Sequence, residues 1–400
     1  MIGPGAARSL RMPEGKAFGA GTGPRLHVAF FLSGLSGGGV PRVMLTLAHA
    51  IAFRGHRVDL IAARPQGPLR PELSPLVQLV PLVDWRTRLP WINAKRSRQV
   101  VAGIPALVRF LRRERPDALL SADHFANVSA VWARALARVP TRVALSQHMH
   151  LSRHGENKPY LRWLVRHMYP RADAIIAVSN GVADDLAETA GLPRQTITRI
   201  YNPVVTPELE KKAGEPLDHP WFAPGEPPVL LGTGRLTAQK DFPTLVKAFA
   251  RVREARPARL MILGEGPGRE GLTALAASLG VAGDVALPGF VSNPFAYMAR
   301  ASVFVLSSAW EGLPTALIEA MACGCPAVST DCPSGPAEIL AGGTYGPLVA
   351  AGDHAALAAA VLRVLGSPPD AAILRDRAAL FSVDRAAEQY LAVLTGGRSR

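Results

Sequence analysis

Short runs rich in β-branched residues, each closing in a turn and each followed by a stretch of helical period, recur along nearly the whole chain. That alternation restricts the possible folds more than any other feature. "RLHVAFFLSGL" opens the series and runs into "SGGGV". The next stretch, "PRVMLTLAHAIAFRG", puts Val43, Leu47, Ala50 and Ile51 on one helical face, with Gly55 as the stop. Strands "HRVDLIAA", "DALLSA", "RVALSQ" and "DAIIAVS" follow, and between them Val100, Val101, Ile104, Leu107, Val108 and Leu111 recur at helical spacing. Such alternation predicts parallel sheets covered on both faces. At 205–226 the pattern gives way to "TPELEKKAGEPLDHPWFAPGEP", a Pro/Glu/Lys-rich stretch that reads as a linker. It then restarts with "PVLLGTGRL", "RLMILGEG", "DVALPG" and "SVFVLSS" separated by helical segments. The expected architecture is α/β, with two doubly wound Rossmann-like domains facing a cleft at residues 25–204 and 227–380. Residues 1–24 read as a disordered leader, and 381–400 as a C-terminal helix and tail packing back on the first domain. A chain of 400 residues accommodates two domains of ordinary size.

Several classes of protein are disfavoured. No uncharged apolar run approaches the ~20 residues that a membrane-spanning helix needs, and the N-terminus lacks the apolar core of a secretory signal. Cys323, Cys325 and Cys332 crowd together without a fourth cysteine or a nearby histidine. Small buried residues in a reducing, cytosolic compartment fit them better than disulfides or a metal site. Charge is distributed unevenly: residues 1–200 carry 28 Lys and Arg against 12 Asp and Glu, whereas the second half carries 17 against 19. The excess suggests an anionic partner for the first half, such as a membrane surface, a phosphorylated lipid or nucleic acid.

Three segments carry chemistry-bearing residues at strand ends. In "GTGRLTAQKDF", Gly232 and Gly234 allow close backbone approach, while Arg235 and Lys240 bring two cations to a strand-to-helix junction suited to a diphosphate. "GEGPG" (Gly264, Glu265, Gly266) offers turn amides for a base or ribose, though by itself it reads better as a structural turn. "SSAWEGLPTALIEAMACGCPAVSTD" holds Glu311 in the turn before a helix with Pro314 at its start. Glu319 lies inside that helix among Thr315, Ala316, Ala322 and Cys323. Carboxylates accept from vicinal hydroxyls, so sugar or ribose rings suit both, and exposed or ion-paired glutamates are the plainer alternative.

Taken together, Gly-Arg-Leu-x-x-x-Lys, Gly-Glu-Gly and Glu-x7-Glu within "EGLPTALIEAMACGCPAVSTD" resemble glycosyltransferase family 4, retaining enzymes of the two-domain GT-B fold that use nucleotide sugars. "SGGGVPRVMLTLAHAIAFRGHRVDLI", "VSNGVADDL", "IYNPV", "TDCPSGPAEIL" and "YGPLVAAGD" extend the resemblance from about Arg25 to about Leu394. It implies that Arg235 and Lys240 hold the donor diphosphate, that Glu319 accepts from the ribose, and that Glu311 contacts the donor sugar. It also implies that the loop of Gly312, Leu313, Pro314 and Thr315 brings backbone amides near sugar or phosphate, and that Gly37, Gly38 and Gly39 close on the donor from the first domain. Many relatives have a histidine near the reacting sugar. His124 and His148, each at a strand end, are the candidates, and Ser121 with Asn127 resemble an alternative motif.

No Asp-x-Asp occurs, so metal-independent transfer is expected, with the diphosphate charge met by cations and helix-terminal amides and no cofactor beyond the nucleotide sugar. The expected acceptor is a glycan or lipid-linked chain of cell-surface polysaccharide or glycolipid synthesis. A sugar-nucleotide epimerase or a non-catalytic scaffold of the same fold are the alternatives. "VDWRTRLPWINAKRSRQ" (83–99) and "HGENKPYLRWLVRHMYPR" (154–171) interleave aromatics with cations, which suits an anionic membrane surface and a peripheral location on its cytoplasmic face. No nucleic-acid motif is present, and solvated helix faces would explain the same residues.

Overall fold

The computed structural model describes residues 25–82, 96–152 and 159–396, so the expected leader at 1–24 and most of the first aromatic–basic stretch, 83–95, lie outside the described residues. The chain divides into two compact units. One comprises Met1–Val178, Val182–Pro203 and Val383–Arg400, the other Ser179–Gly181 and Val204–Ser382.

The first unit is built on seven strands: β1 (His27–Leu32), β2 (Arg57–Ala62), β3 (Val77–Pro81), β4 (Ala118–Ala122), β5 (Arg142–Gln147), β6 (Ala174–Ala177) and β7 (Ile197–Arg199). They pair in parallel in the order β3-β2-β1-β4-β5-β6-β7. The apolar runs of β1, β4 and β5 are buried on both faces, as a parallel sheet requires. Helix α1 (Gly39–Phe53) follows β1 and ends at Gly55, whose φ of +88° suits glycine.

The expected single helix around 100–111 is instead two, α2 (Arg96–Ala102) and α3 (Ile104–Glu114). Pro105 has no N–H to continue the ladder, and at Gly103 a Cβ would lie 2.2 Å from Leu82 Cδ2, so the chain turns there against β3's end. Helices α4 (His124–Ala137), α5 (Pro159–Met168) and α6 (Asn180–Ala190) complete the βα series.

The second unit repeats the plan with β8 (Val229–Thr233), β9 (Arg259–Leu263), β10 (Val285–Gly289), β11 (Val303–Leu306), β12 (Ala327–Thr330) and β13 (Leu348–Val349). They are parallel in the order β10-β9-β8-β11-β12-β13. Segment 205–226, read as a linker, belongs to this unit and contains helix α7 (Pro207–Ala213). Thr206 accepts from the Leu209 N–H and Pro207 occupies the first turn, two local start signals. Only Leu209 is buried in this helix, so no hydrophobic period revealed it.

Helices α8 (Phe242–Ala255), α9 (Arg269–Ser278), α10 (Pro294–Met298), α11 (Thr315–Ala322), α12 (Pro336–Ile339), α13 (His354–Gly366) and α14 (Ala371–Ala378) follow. The core of this unit runs from Leu230, Leu260, Ile262 and Val305 of the sheet to Phe249 of α8 and Leu357 and Val361 of α13. The last helix, α15 (Val383–Thr395), packs on the first unit, where Ala387, Tyr390 and Leu394 join the core formed by β1, β4 and α1. Among the described residues no single helix is long and apolar enough to cross a membrane.

In each sheet the strand order reverses between two neighbours, β1 and β4 in one, β8 and β11 in the other. Loops leaving the C-terminal ends of such a pair diverge to opposite faces and leave a crevice where ligands bind.

Candidate functional site

In the second unit the chemistry-bearing segments lie at that reversal. The strand β8 ends at Thr233 and delivers Gly234, Arg235 and Lys240, while β11 ends at Leu306 and delivers Ser307, Ser308 and Glu311. The two loops are tied together: Ala309 N donates to Gln239 O (2.9 Å) and Ser307 Oγ donates to Lys240 O (2.8 Å).

Across them Lys240 Nζ meets Glu311 Oε1 at 2.6 Å. Ser308 Oγ donates to the same carboxylate oxygen (2.8 Å), and Gln239 Nε2 donates to Glu311 Oε2 (3.4 Å) and to Trp310 O (3.2 Å). Glu311 is buried and Lys240 half-buried, so the pair has shed much of its water and each charge depends on the other. The guanidinium of Arg235 is exposed and makes no hydrogen bond among the described residues.

The glycines of this region have steric work. Gly234 has φ +154° and a Cβ there would press on Lys240 Cε at 2.9 Å. A Cβ on Gly264, at φ +134°, would fall 2.0 Å from Gly234 O, and one on Gly266 would fall 2.6 Å from Leu236 O. The β9 loop therefore lies directly on the β8 loop, joined by Leu236 N to Glu265 O (3.0 Å) and Gly268 N to Leu236 O (2.9 Å). The Gly-Glu-Gly segment thus braces Arg235 and Lys240. Its acid, Glu265, is turned to Arg269 at 2.5 Å, which holds its carboxyl below the usual range.

Helix α11 begins just after Pro314, which caps it rather than filling its first turn. Gly335 lies against this corner, where a Cβ would meet Pro314 Cδ at 2.6 Å. Glu319 is half-buried on the helix, with Thr315 and Ala316 also half-buried beside it. Its proximity helps raise the Cys323 thiol to about 12, after burial as the main cause, and Cys332 is likewise pushed up to about 12 by burial. These thiols stay protonated and unreactive. Among the described residues no three His, Cys, Asp or Glu side chains gather as metal ligands.

The first unit places Gly37, Gly38 and Gly39 at the exposed start of α1, directly after β1. A Cβ would meet nothing within 4 Å at Gly39 and only proline rings at Gly37 (3.4 Å) and Gly38 (3.9 Å), and none of the three has a positive φ. Packing within the unit does not require glycine there.

His124 is buried at the start of α4. His148 is buried beyond β5, its Nε2 3.0 Å from Ser146 Oγ, which is itself 3.1 Å from Tyr390 OH. Burial lowers its pKa from 6.5 to about 4, so the ring is neutral near pH 7. Ser121 Oγ donates to Asn127 Oδ1 (2.7 Å), while Asn127 Nδ2 reaches Ser146 O (3.1 Å) and Tyr169 OH (2.9 Å). These groups are spent on joining α4 to its neighbouring strands. A third histidine, His150, has Nδ1 3.4 Å from Asp185 Oδ1.

Two features of the second unit carried no signal in the sequence. Gln239 and Ser308 hold Glu311, yet neither type has a spacing signature. Phe290 is 82% exposed directly after β10, where Gly289 (φ +88°) turns the chain beside Glu265.

Two family models match this chain, one described as glycosyltransferase family 4 over residues 37–207, the other as glycosyl transferases group 1 over residues 227–367. Among curated proteins it is similar to the N-acetylgalactosamine-N,N'-diacetylbacillosaminyl-diphospho-undecaprenol 4-alpha-N-acetylgalactosaminyltransferase of Campylobacter jejuni. Identity is 33% over 188 residues, which is 47% of this chain and 49% of that protein, so the match spans about half the relative's length. Among solved structures it is similar to the lipopolysaccharide outer core galactosyltransferase WaaB, with 21% identity, TM-score 0.71, and 93% and 100% of the two chains covered. It is also similar to Anabaena HepE in complex with UDP-glucose, with 19% identity, TM-score 0.72, and 93% and 100% covered. At these identities the structural likenesses concern the fold, the GT-B arrangement of two parallel sheets.

Proposed function

Because the chain belongs to the family 4, group 1 glycosyltransferases, we propose that it transfers a sugar from a nucleoside diphosphate sugar to a lipid-linked or glycan acceptor, with retention at the anomeric carbon and without a metal. The observation that carries this reading is the buried Lys240–Glu311 pair beside the exposed Arg235, at the crevice where the second sheet reverses its strand order. In this reading Arg235 forks onto the diphosphate and Lys240 adds a point charge, with the amides at the start of α11 completing the anion site. Glu319 accepts from the ribose hydroxyls and Glu311 from the sugar.

Phe290 offers an unoccupied aromatic face to the base. The UDP-glucose complex of the Anabaena neighbour supports a uridine donor. The acceptor of the C. jejuni relative, named as a diphospho-undecaprenol glycan, supports a lipid-linked one.

In the reaction the bond from the anomeric carbon to the diphosphate oxygen breaks, and negative charge collects on the diphosphate beside Arg235 and Lys240. The acceptor hydroxyl forms its bond on the same face and its proton passes to the departing diphosphate. A buried His148, neutral near pH 7, does not supply a proton in this scheme.

The test is thermal stabilisation by UDP, GDP and ADP and their sugars, beside Lys240→Ala and Glu319→Ala, each read from its own baseline. At about 100 times its dissociation constant a ligand adds roughly 2.7 kcal/mol. Stabilisation by one nucleotide family, weakened in both variants, and release of nucleoside diphosphate insensitive to EDTA are expected. Interconversion of sugar nucleotides without release would replace this reading with an epimerase.

A further inference from the structure

The second aromatic–basic stretch folds differently from a uniform amphipathic surface. Tyr169 is fully buried, its OH donating to Gln147 Oε1 (3.1 Å), and Leu164 and Met168 are half-buried. What remains outside is a compact set on two neighbouring helices of the first unit, α4 and α5.

Trp132 (38% exposed) and Leu136 (58%) lie one turn apart on α4, and Tyr160 (52%) and Trp163 (58%) one turn apart on α5. Trp132 Nε1 reaches Met168 Sδ at 2.9 Å, which fixes the two helices to each other at this surface, and Trp163 stacks on His167 with ring centroids 4.5 Å apart. Four of the ten large apolar side chains exposed among the described residues therefore fall on two adjacent helices, a patch rather than ordinary scatter.

The charged side chains of the two helices themselves are all positive. Arg138, Arg162, Arg166 and Arg171 are exposed, and neither α4 nor α5 contains an Asp or Glu. Arg134, half-buried between them, donates to Arg171 O (2.6 Å) and lies 3.5 Å from Asp173. A protein partner of ordinary composition would leave so many guanidinium groups unmatched, whereas an anionic bilayer offers phosphates at any spacing beside a boundary layer that accepts indole and phenol rings.

From this we infer that the α4–α5 face of the first unit is a docking surface for anionic phospholipid bilayers, with Tyr160 and Trp163 entering the headgroup layer and Arg162 and Arg166 bound to lipid phosphates. The inference rests on the transferase reading only in supplying a reason for the contact, since an acceptor carried on lipid must be met at a bilayer.

The test is co-sedimentation of the full chain with phosphatidylcholine vesicles, with and without phosphatidylglycerol, at low and high salt. It is run beside Tyr160→Ala/Trp163→Ala and Arg162→Gln/Arg166→Gln, and UDP-induced thermal stabilisation is recorded for every protein. Expected are binding that requires phosphatidylglycerol and falls with salt, and at least a tenfold loss of partitioning in each paired variant, with the UDP response intact. Equal binding by the variants, equal binding to vesicles of phosphatidylcholine alone, or no vesicle binding by the wild type would overturn it. So would duplex DNA displacing the protein from the vesicles through the same four residues, which would make the face a nucleic-acid surface. Vesicle binding in a protein that shows no response to any nucleotide would leave this surface standing and remove the transferase reading.

Discussion

Glu311 is gripped by three side chains, of which only Lys240 carries a charge. Removing that charge alone strands a carboxylate in a site it cannot leave. Lys240→Ala is expected to cost about 3 kcal/mol of stability, whereas Lys240→Ala with Glu311→Gln should recover most of that loss. Denaturant titration of the two singles and the double checks this, and strictly additive losses would show that the pair is not coupled. Both partners were legible before the structure, because a cation at a strand-to-helix junction and an acid at a helix start are positions with chemical meaning. Gln239 and Ser308 were not, since their importance comes from one loop crossing another. His148 was legible as a position but not as an environment: its neighbour Ser146 is met by Tyr390, 244 residues further along the chain from that serine.

At the scale of elements, nine of the thirteen strands among the described residues were readable from their apolar runs, while β3, β7, β12 and β13 were not. What escaped was short or depended on distant partners: α7, with one buried side chain, and the break between α2 and α3, set by Leu82. The turn after β10 makes a prediction of its own. If Phe290 stacks on the base, Phe290→Ala should weaken UDP binding by about 1–3 kcal/mol, measured by calorimetry, with little change in melting temperature because the ring is exposed. The helix α15 makes the opposite kind of prediction. Tyr390 is fully buried against the first sheet, so Tyr390→Ala should cost the first unit about 3–5 kcal/mol while the UDP response of the second unit persists. Calorimetric scans with and without UDP separate the two.

For the molecule as a whole, the units respond unequally to acid. His49, whose Nε2 accepts from Ser74 N (3.0 Å), and His148 both belong to the first unit, and burial lowers each from 6.5 to about 4. Between those values the unfolded chain binds protons that the folded unit refuses, so stability falls as the pH drops from 6.5 towards 4. Each ring accounts for roughly 3 kcal/mol once the pH is below both values. Scans at pH 7 and pH 5 should show the first unit's transition moving down further than the second's, and His148→Gln should reduce the difference. The charge excess of the first half was plain from composition. Its concentration around exposed aromatics on α4 and α5 was not, because Tyr169 and Trp163 look alike in a sequence, yet the first is fully buried and the second 58% exposed.

The position of α15 has a consequence for biosynthesis. The strands of the first unit are made first, but the helix that completes its core follows residue 382, after the whole of Val204–Ser382 has been translated. At about 5–20 residues per second the ribosome spends roughly 10–35 s on that interval. Throughout it the nascent first sheet lacks the helix that carries Tyr390, and at its end the second unit has every segment it needs. The second unit is therefore the first to be synthesised in full, although the first unit begins the chain.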